Sequence, residues 1–209
     1  NGFDPIYFPQ LPRLSKRELD QVSTTRPVFV RHASGHLATV NTALLEAEGI
    51  TKDSPTPGVG RDPDGELSGE LQEAPAMMLA KGAFTKMMAA GAGAEPIRIH
   101  AAMCRNAGVT TSTELVGMLL IDAGQIQVWR DTVDDPAFPA RMVLYNLPTM
   151  PGSTADYAAV ADAAVKLREI ESDKLRAPGI KLVADGSIQG WTAVMLEPGY
   201  YTGEDHGLL

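Results

Sequence analysis

Two histidines stand four residues apart, His32 and His36. On a helix that spacing places both imidazoles on one face, where they could share a metal ion. Gly35 lies between them and no glutamate follows His32, so a second reading stays open: a polar cap or hydrogen-bond donor where a strand gives way to a helix. His36 is the better candidate for touching a substrate. Lys181 is the other unusual residue. It interrupts the apolar run Ile180-Lys181-Leu182-Val183-Ala184, where a charge is costly unless it is paired or reaches water. Strands alternate faces, so Lys181 either looks out from an edge strand or points into an enclosed interior. In an interior it could pair with carboxylates or react with carbon dioxide. The resulting carbamate has two oxygens and can bridge two metal ions. Asp185 and Gly186 then form the turn at the end of that strand.

Other candidates are weaker. Glu114 closes the Thr-rich run Val109–Leu115; in a barrel its carboxylate would face the active-site mouth, and otherwise it is a satisfied structural group. Cys104 has no base near it in sequence and reads as a small buried apolar residue rather than a nucleophile. His100 falls inside a helical pattern and reads as a packing or surface residue. His206, in a polar Gly-containing tail, says little. Asp62 and Asp64 are explained by turn chemistry around Gly65.

The elements that must position these residues follow from patterning. Ser15-Lys16-Arg17-Glu18 is a capping box and predicts a short helix. Pro27–Val30 predicts a buried strand, and His36–Glu48 a helix with apolar positions at Leu37, Val40, Leu44 and Leu45, stopped by Gly49. Pro75–Ala90 predicts one Met-rich helix. Further on, helices are expected at 97–106, 124–133 and 153–171, and strands at 109–115, 141–145 and 180–184. That alternation argues for an α/β fold with parallel strands. A doubly wound nucleotide-binding sheet lacks its glycine fingerprint here, since Val30-Arg31-His32-Ala33 follows Phe29. A barrel fits better, with His32, His36, Glu114, Asn146 and Asp185 at strand ends.

Composition narrows the function. The 209 residues are 44% hydrophobic, enough for a sizeable core. A formal net charge of -8 and no basic cluster speak against a nucleic-acid surface. No apolar run reaches the roughly 18 residues of a membrane span. The one cysteine excludes an internal disulfide and fits a cytoplasmic or a periplasmic setting. Neither end carries a targeting signal, and both read as cut from a longer chain.

Four segments in order resemble the metal-dependent hydrolases of amidohydrolase family 3, N-substituted formamide deformylase among them. They are Arg26–His36 with Val40–Leu44, Asp62–Glu73, Gly108–Thr111, and Lys181–Gly190. The resemblance implies an incomplete (β/α)8 TIM-barrel segment over residues 1–209, with a lid-like excursion inserted at residues 46–95. It implies hydrolysis of an amide or other C–N bond in a small-molecule substrate, by water activated on one or two divalent ions, with zinc the usual metal. By the same resemblance Lys181 is the carboxylated, metal-binding lysine, and Asp185 stands beside the metal centre as the catalytic carboxylate. His36 and Asn41 lie on the substrate side. Glu114 is kept with them as a substrate-side candidate on its strand-end position alone. The family's His-X-His pair, its later histidines and its flanking β-sandwich are not in this sequence, and Trp191 replaces a small residue. The chain is therefore expected to be the central part of a hydrolase, inactive alone and prone to self-association through open strand edges. The alternative is a non-catalytic binding domain derived from such a barrel.

Overall fold

The computed structural model describes residues 2–8, 10, 13–115, 123–147, 156–201 and 207. His206 and the expected helix start at Ser153–Ala155 lie outside them. The chain divides into two units, Asn1–Met88 with Ala184–Leu209, and Ala89–Val183.

In the first unit Ser15 caps α1 (Lys16–Val22), accepting from the Arg17 N–H while its own N–H reaches the Glu18 carboxylate at 2.8 Å. Two strands follow, β1 (Phe29–Arg31) and β2 (Leu37–Val40), paired antiparallel with Phe29 opposite Val40. A helix expected over His36–Glu48 is thus replaced by a strand and the shorter α2 (Thr42–Ala47). The apolar spacing fitted a helix, but Leu37, Ala38, Thr39 and Val40 are all buried, so both faces of β2 are covered. An extended, β-branched Thr39-Val40 pair suits that environment. Gly49, at φ 67, ends α2 as expected.

The Asp62–Glu66 turn joins β3 (Val59–Arg61) to β4 (Leu67–Gln72), with Gly65 at φ 86 and the Asp62 N–H bonded to the Glu66 carbonyl at 2.8 Å. Strand β4 lies against β2, giving the antiparallel order β1-β2-β4-β3. The expected parallel rhythm fails in this half. Residues 46–95 supply β3 and β4 of this sheet, then α3 (Glu73–Met77) and α4 (Lys81–Ala90). The single helix expected at Pro75–Ala90 breaks at residues 78–80, where i to i+3 bonds tighten the chain over buried Ala80. Ala38, Val40, Leu44, Leu71 and Met77 form the core.

The second unit follows the expected alternation: α5 (Ala94–Asn106), β5 (Thr111–Glu114), α6 (Ala123–Val133), β6 (Arg141–Asn146), α7 (Tyr157–Leu167) and β7 (Leu175–Ile180). Its sheet is parallel, in the order β5-β6-β7. Parallel neighbours need long crossovers, and here each contains a helix. Met142, Leu144, Leu175 and Ala177 pack with Ile97, Ala101 and Cys104 of α5, Val133 of α6 and Leu167 of α7. Cys104 is a core residue as expected, but a base does stand beside it: His100, one turn earlier on α5, places Nε2 3.5 Å from its Sγ. The last strand ends where a strand was expected to begin: Leu175–Ile180 pairs with β6, and residues 181–184 run on without ladder partners. Among the described residues no helix is long and apolar enough to cross a membrane.

Candidate functional site

The His32/His36 pair does not share a helix face. His32 follows β1 directly, bridged to Phe3, and His36 stands in the turn before β2, so a common metal site on a helix is ruled out by the hairpin. His32 is buried, bonded through Nε2 to Thr39 Oγ1 at 2.9 Å and packed edge-on against Phe3. Burial, with the Arg13 charge added and Asp4 opposing, pushes its pKa down to about 4. The folded protein then refuses a proton that the unfolded chain takes below about pH 6.5. Stability is accordingly lost as pH falls from that value towards 4. The expected loss from His32 between pH 7 and pH 5 is about 2 kcal/mol. It is read by urea denaturation at each pH as the difference from the His32→Gln variant. A loss no smaller in that variant would show that His32 is not the responsible group.

His36 makes the contact on which the site is built. Its Nδ1 lies 2.8 Å from Glu73 Oε2 and 3.1 Å from Oε1, although 37 residues separate them. The backbone repeats the link, with the Glu73 N–H bonded to the His36 carbonyl at 2.6 Å. Glu73 has φ 64 and Trp191 φ 57, the two non-glycine residues with left-handed φ among the described residues. Each such residue stores on the order of 1 kcal/mol of strain. They are close: Thr192, next to Trp191, lowers the Glu73 pKa, and its hydroxyl accepts from the Ser187 N–H at 2.8 Å. Burial raises the Glu73 carboxyl, but the bonds from His36 and Thr192 and the His36 charge outweigh it and hold the group below the ordinary glutamate value.

The loop from Gly186 to Thr192 is shaped to this contact. A Cβ on Gly186 would stand 2.6 Å from Glu73 Oε1 and 2.5 Å from the Thr192 carbonyl. A Cβ on Gly190 would overlap the Leu37 side chain, one residue from His36. Arg13 lies over the Trp191 ring, 4.7 Å from its centre, and pairs with Glu70 of β4. Three segments singled out in the sequence, around His36, Glu70–Glu73 and Gly186–Thr192, thus meet in one place.

The remaining candidates distribute as follows. Asp185, half-buried, accepts from the Val194 N–H at 3.1 Å and opens the Gly186 loop. Asn41 is completely buried, and its amide is spent inside the fold. Its oxygen accepts from Val28 and Leu44 and its nitrogen donates to the Ser23 and Arg26 carbonyls. That arrangement caps α2 and leaves no amide atom for a substrate. In the second unit Lys181 follows β7 directly, and its N–H bonds to the Asn146 carbonyl at 2.8 Å. The ladder pairs Ile180 with Asn146 after an irregularity near Pro178. Alternation then places Lys181 on the side of Tyr145 and Gly179, away from the helices. Glu114 ends β5 opposite Leu144, a residue of the helix-covered core, so its register is not that of an interior-facing carboxylate. Among the described residues no group of three or more His, Cys, Asp or Glu side chains could hold a metal ion.

Glu73 lies at the end of the Asp62–Glu73 segment, with no role legible in the sequence. The signal for one was thin, since neither a left-handed glutamate nor a partner 37 residues away leaves a local pattern.

The sequence profile described as "Amidohydrolase family" matches residues 1–207. YtcJ of Bacillus subtilis (strain 168), which carries the amidohydrolase name, is 34% identical over 73 residues, or 34% of this chain and 14% of its own length. A crystal structure titled as an uncharacterized metal-dependent hydrolase from Pyrococcus horikoshii OT3 aligns over 100% of this chain and 38% of its own, at 18% identity and a TM-score of 0.53. A protein of the same title from Pyrococcus furiosus aligns over 94% and 37%, at 19% identity and a TM-score of 0.44. The chain therefore spans well under half the length of these relatives, and the first structural likeness is one of fold. Because the profile runs through all three segments that meet at His36 and Glu73 and covers nearly every residue, the chain belongs to the amidohydrolase family.

Proposed function

We propose that the protein containing this chain hydrolyses an amide or related C–N bond in a small molecule. The observation that carries this reading is the meeting of the His36, Glu73 and Gly186–Thr192 segments within a chain of that family. The parallel unit is read as part of a (β/α)8 barrel, with β5, β6 and β7 as consecutive strands and Lys181 at the C-terminal end of the last. Functional residues of such barrels sit at that end. In this reading Lys181 is a metal ligand, as a carbamate, Asp185 is the catalytic carboxylate, and His36 contacts the substrate.

Metal dependence belongs to the same proposal, with zinc as the ion and one or two ions as the count. A zinc site takes three or four protein ligands, and Lys181 supplies one. The described residues do not complete such a site, so no step is assigned to the metal. What this chain contributes is a lysine held at a strand end by the Asn146 carbonyl, and an imidazole locked in place by a carboxylate.

The test is hydrolysis of N-substituted amides and formamides by the full-length protein, with metal content measured on the same sample. Turnover with bound zinc is expected, and Lys181→Ala should lower kcat/KM by about a hundredfold or more, at or beyond the upper end of the roughly 10–100-fold lost when a group that only supports a metal ligand is removed. Absence of turnover on every C–N substrate tried would sink the reading and favour a binding domain.

A further inference from the structure

The bond between His36 and Glu73 fixes more than a ring position. A carboxylate accepts only, so Nδ1 must carry the proton. In the neutral imidazole Nε2 is then left with a lone pair. Among the described residues Nε2 has no hydrogen-bond partner, and it is not one of their buried unpaired atoms. His36 is half-buried, with 31% of its side chain exposed. The ring is therefore anchored on one side and open on the other, and the open atom is an acceptor.

Three features show that the anchor is built for this purpose rather than left by chance. Glu73 accepts left-handed strain to face His36. Thr192 stands beside the carboxylate, its Oγ1 2.5 Å and Glu73 Oε1 2.6 Å from the point a Gly186 Cβ would occupy. Gly186 leaves out the one carbon that would displace Oε1. A simple surface ion pair needs none of these.

We infer that Glu73 is a positioning residue that holds His36 as a hydrogen-bond acceptor, and that the ligand taken there presents an N–H or O–H donor to Nε2. This rests on the hydrolase reading for the identity of the ligand. It narrows the substrate class to amides that keep a hydrogen on nitrogen or carry a neighbouring hydroxyl. A fully N-alkylated amide without a hydroxyl offers Nε2 nothing to bind, and a site built to pair with a donor disfavours the analogue that lacks it.

Long-range nitrogen–proton NMR correlations of the protein read the ring directly. At pH 8, His36 is expected as the tautomer protonated on Nδ1, and Glu73→Ala should mix the two tautomers. Glu73→Gln, whose side-chain oxygen still accepts, should restore the single tautomer. Titration with acetanilide should shift His36 Nε2, with N-methylacetanilide binding about tenfold more weakly, the equivalent of one lost hydrogen bond. In Glu73→Ala that preference should fall to within twofold. A ring protonated on Nε2, or equal binding of the two amides by the wild-type protein, would overturn the inference. Hydrolysis of both amides at equal efficiency would overturn it too while leaving the hydrolase reading intact. A tautomer and donor preference as expected with no hydrolysis would sink the hydrolase reading alone.

Discussion

Asn41→Ala is expected to cost about 4 kcal/mol of folding stability. The amide is fully buried and makes four hydrogen bonds to backbone groups on three sides: Val28 ahead of β1, Ser23 and Arg26 after α1, and Leu44 in the first turn of α2. Loss of the helix cap alone costs about 1 kcal/mol. The Val28, Ser23 and Arg26 bonds are lost as well, at about 1 kcal/mol each. Asn41→Asp keeps the acceptor and should still fail, because it buries a charge against the Ser23 and Arg26 carbonyls. Urea denaturation gives the measurement. A change below about 1 kcal/mol in Asn41→Ala would mean that water replaces the amide, which would reopen Asn41 as a group able to bind ligands.

Gly186→Ala is expected to cost about 3 kcal/mol, against a small gain for Gly82→Ala. The contrast lies in what each new carbon meets. At Gly82 the only close atom is the Glu48 carboxylate, 2.9 Å away; it accepts from the Gly82 N–H at 2.8 Å but ends a flexible side chain that can shift by the few tenths of an ångström needed. Gly82 is also inside α4, where alanine is preferred to glycine by about 0.5–1 kcal/mol. At Gly186 the close atoms are the Thr192 backbone carbonyl and hydroxyl and the Glu73 carboxylate, and the last is held by His36. Something in that knot must shift, and overpacking of this kind typically costs 1–3 kcal/mol. Equal stability of the two variants would mean that the loop is free to relax and does not clamp Glu73.

Local chemistry was what the sequence disclosed best. The Ser15 capping box, the Asp62–Gly65 turn and the Gly49 stop each depend on residues within a few positions, and each stands where expected. The β5, α6, β6, α7, β7 order was legible because alternating segments carry their own periods. What failed was the choice between two periods that one short segment satisfies. Leu37, Val40, Leu44 and Leu45 fit a helix, and only the partners on both sides of β2 decide for a strand. Asn41 held the missing clue, since asparagine before Thr42 is a helix-start signal. Apolar Leu182 and Val183 suggest a strand through Lys181. The ladder instead includes Pro178 and ends at Ile180. The His36–Glu73 pair was out of reach, because it depends on the register of β2 against β4 and on a loop that returns after residue 183.

The first unit is made of two stretches of chain, with Ala89–Val183 lying between them in sequence. During synthesis the N-terminal stretch leaves the ribosome well before the Gly186–Thr192 loop exists. At about 5–20 residues per second, the hundred or so intervening residues take roughly 5–20 s. For that interval Glu73 has His36 but not Thr192, and the Leu37 face of β2 has no Gly190 against it. The nascent protein thus carries an unsealed apolar strand for far longer than an isolated hairpin needs to form, which is about 1–10 μs. Chaperone holding during translation, rather than intrinsic folding speed, is then what should govern its yield.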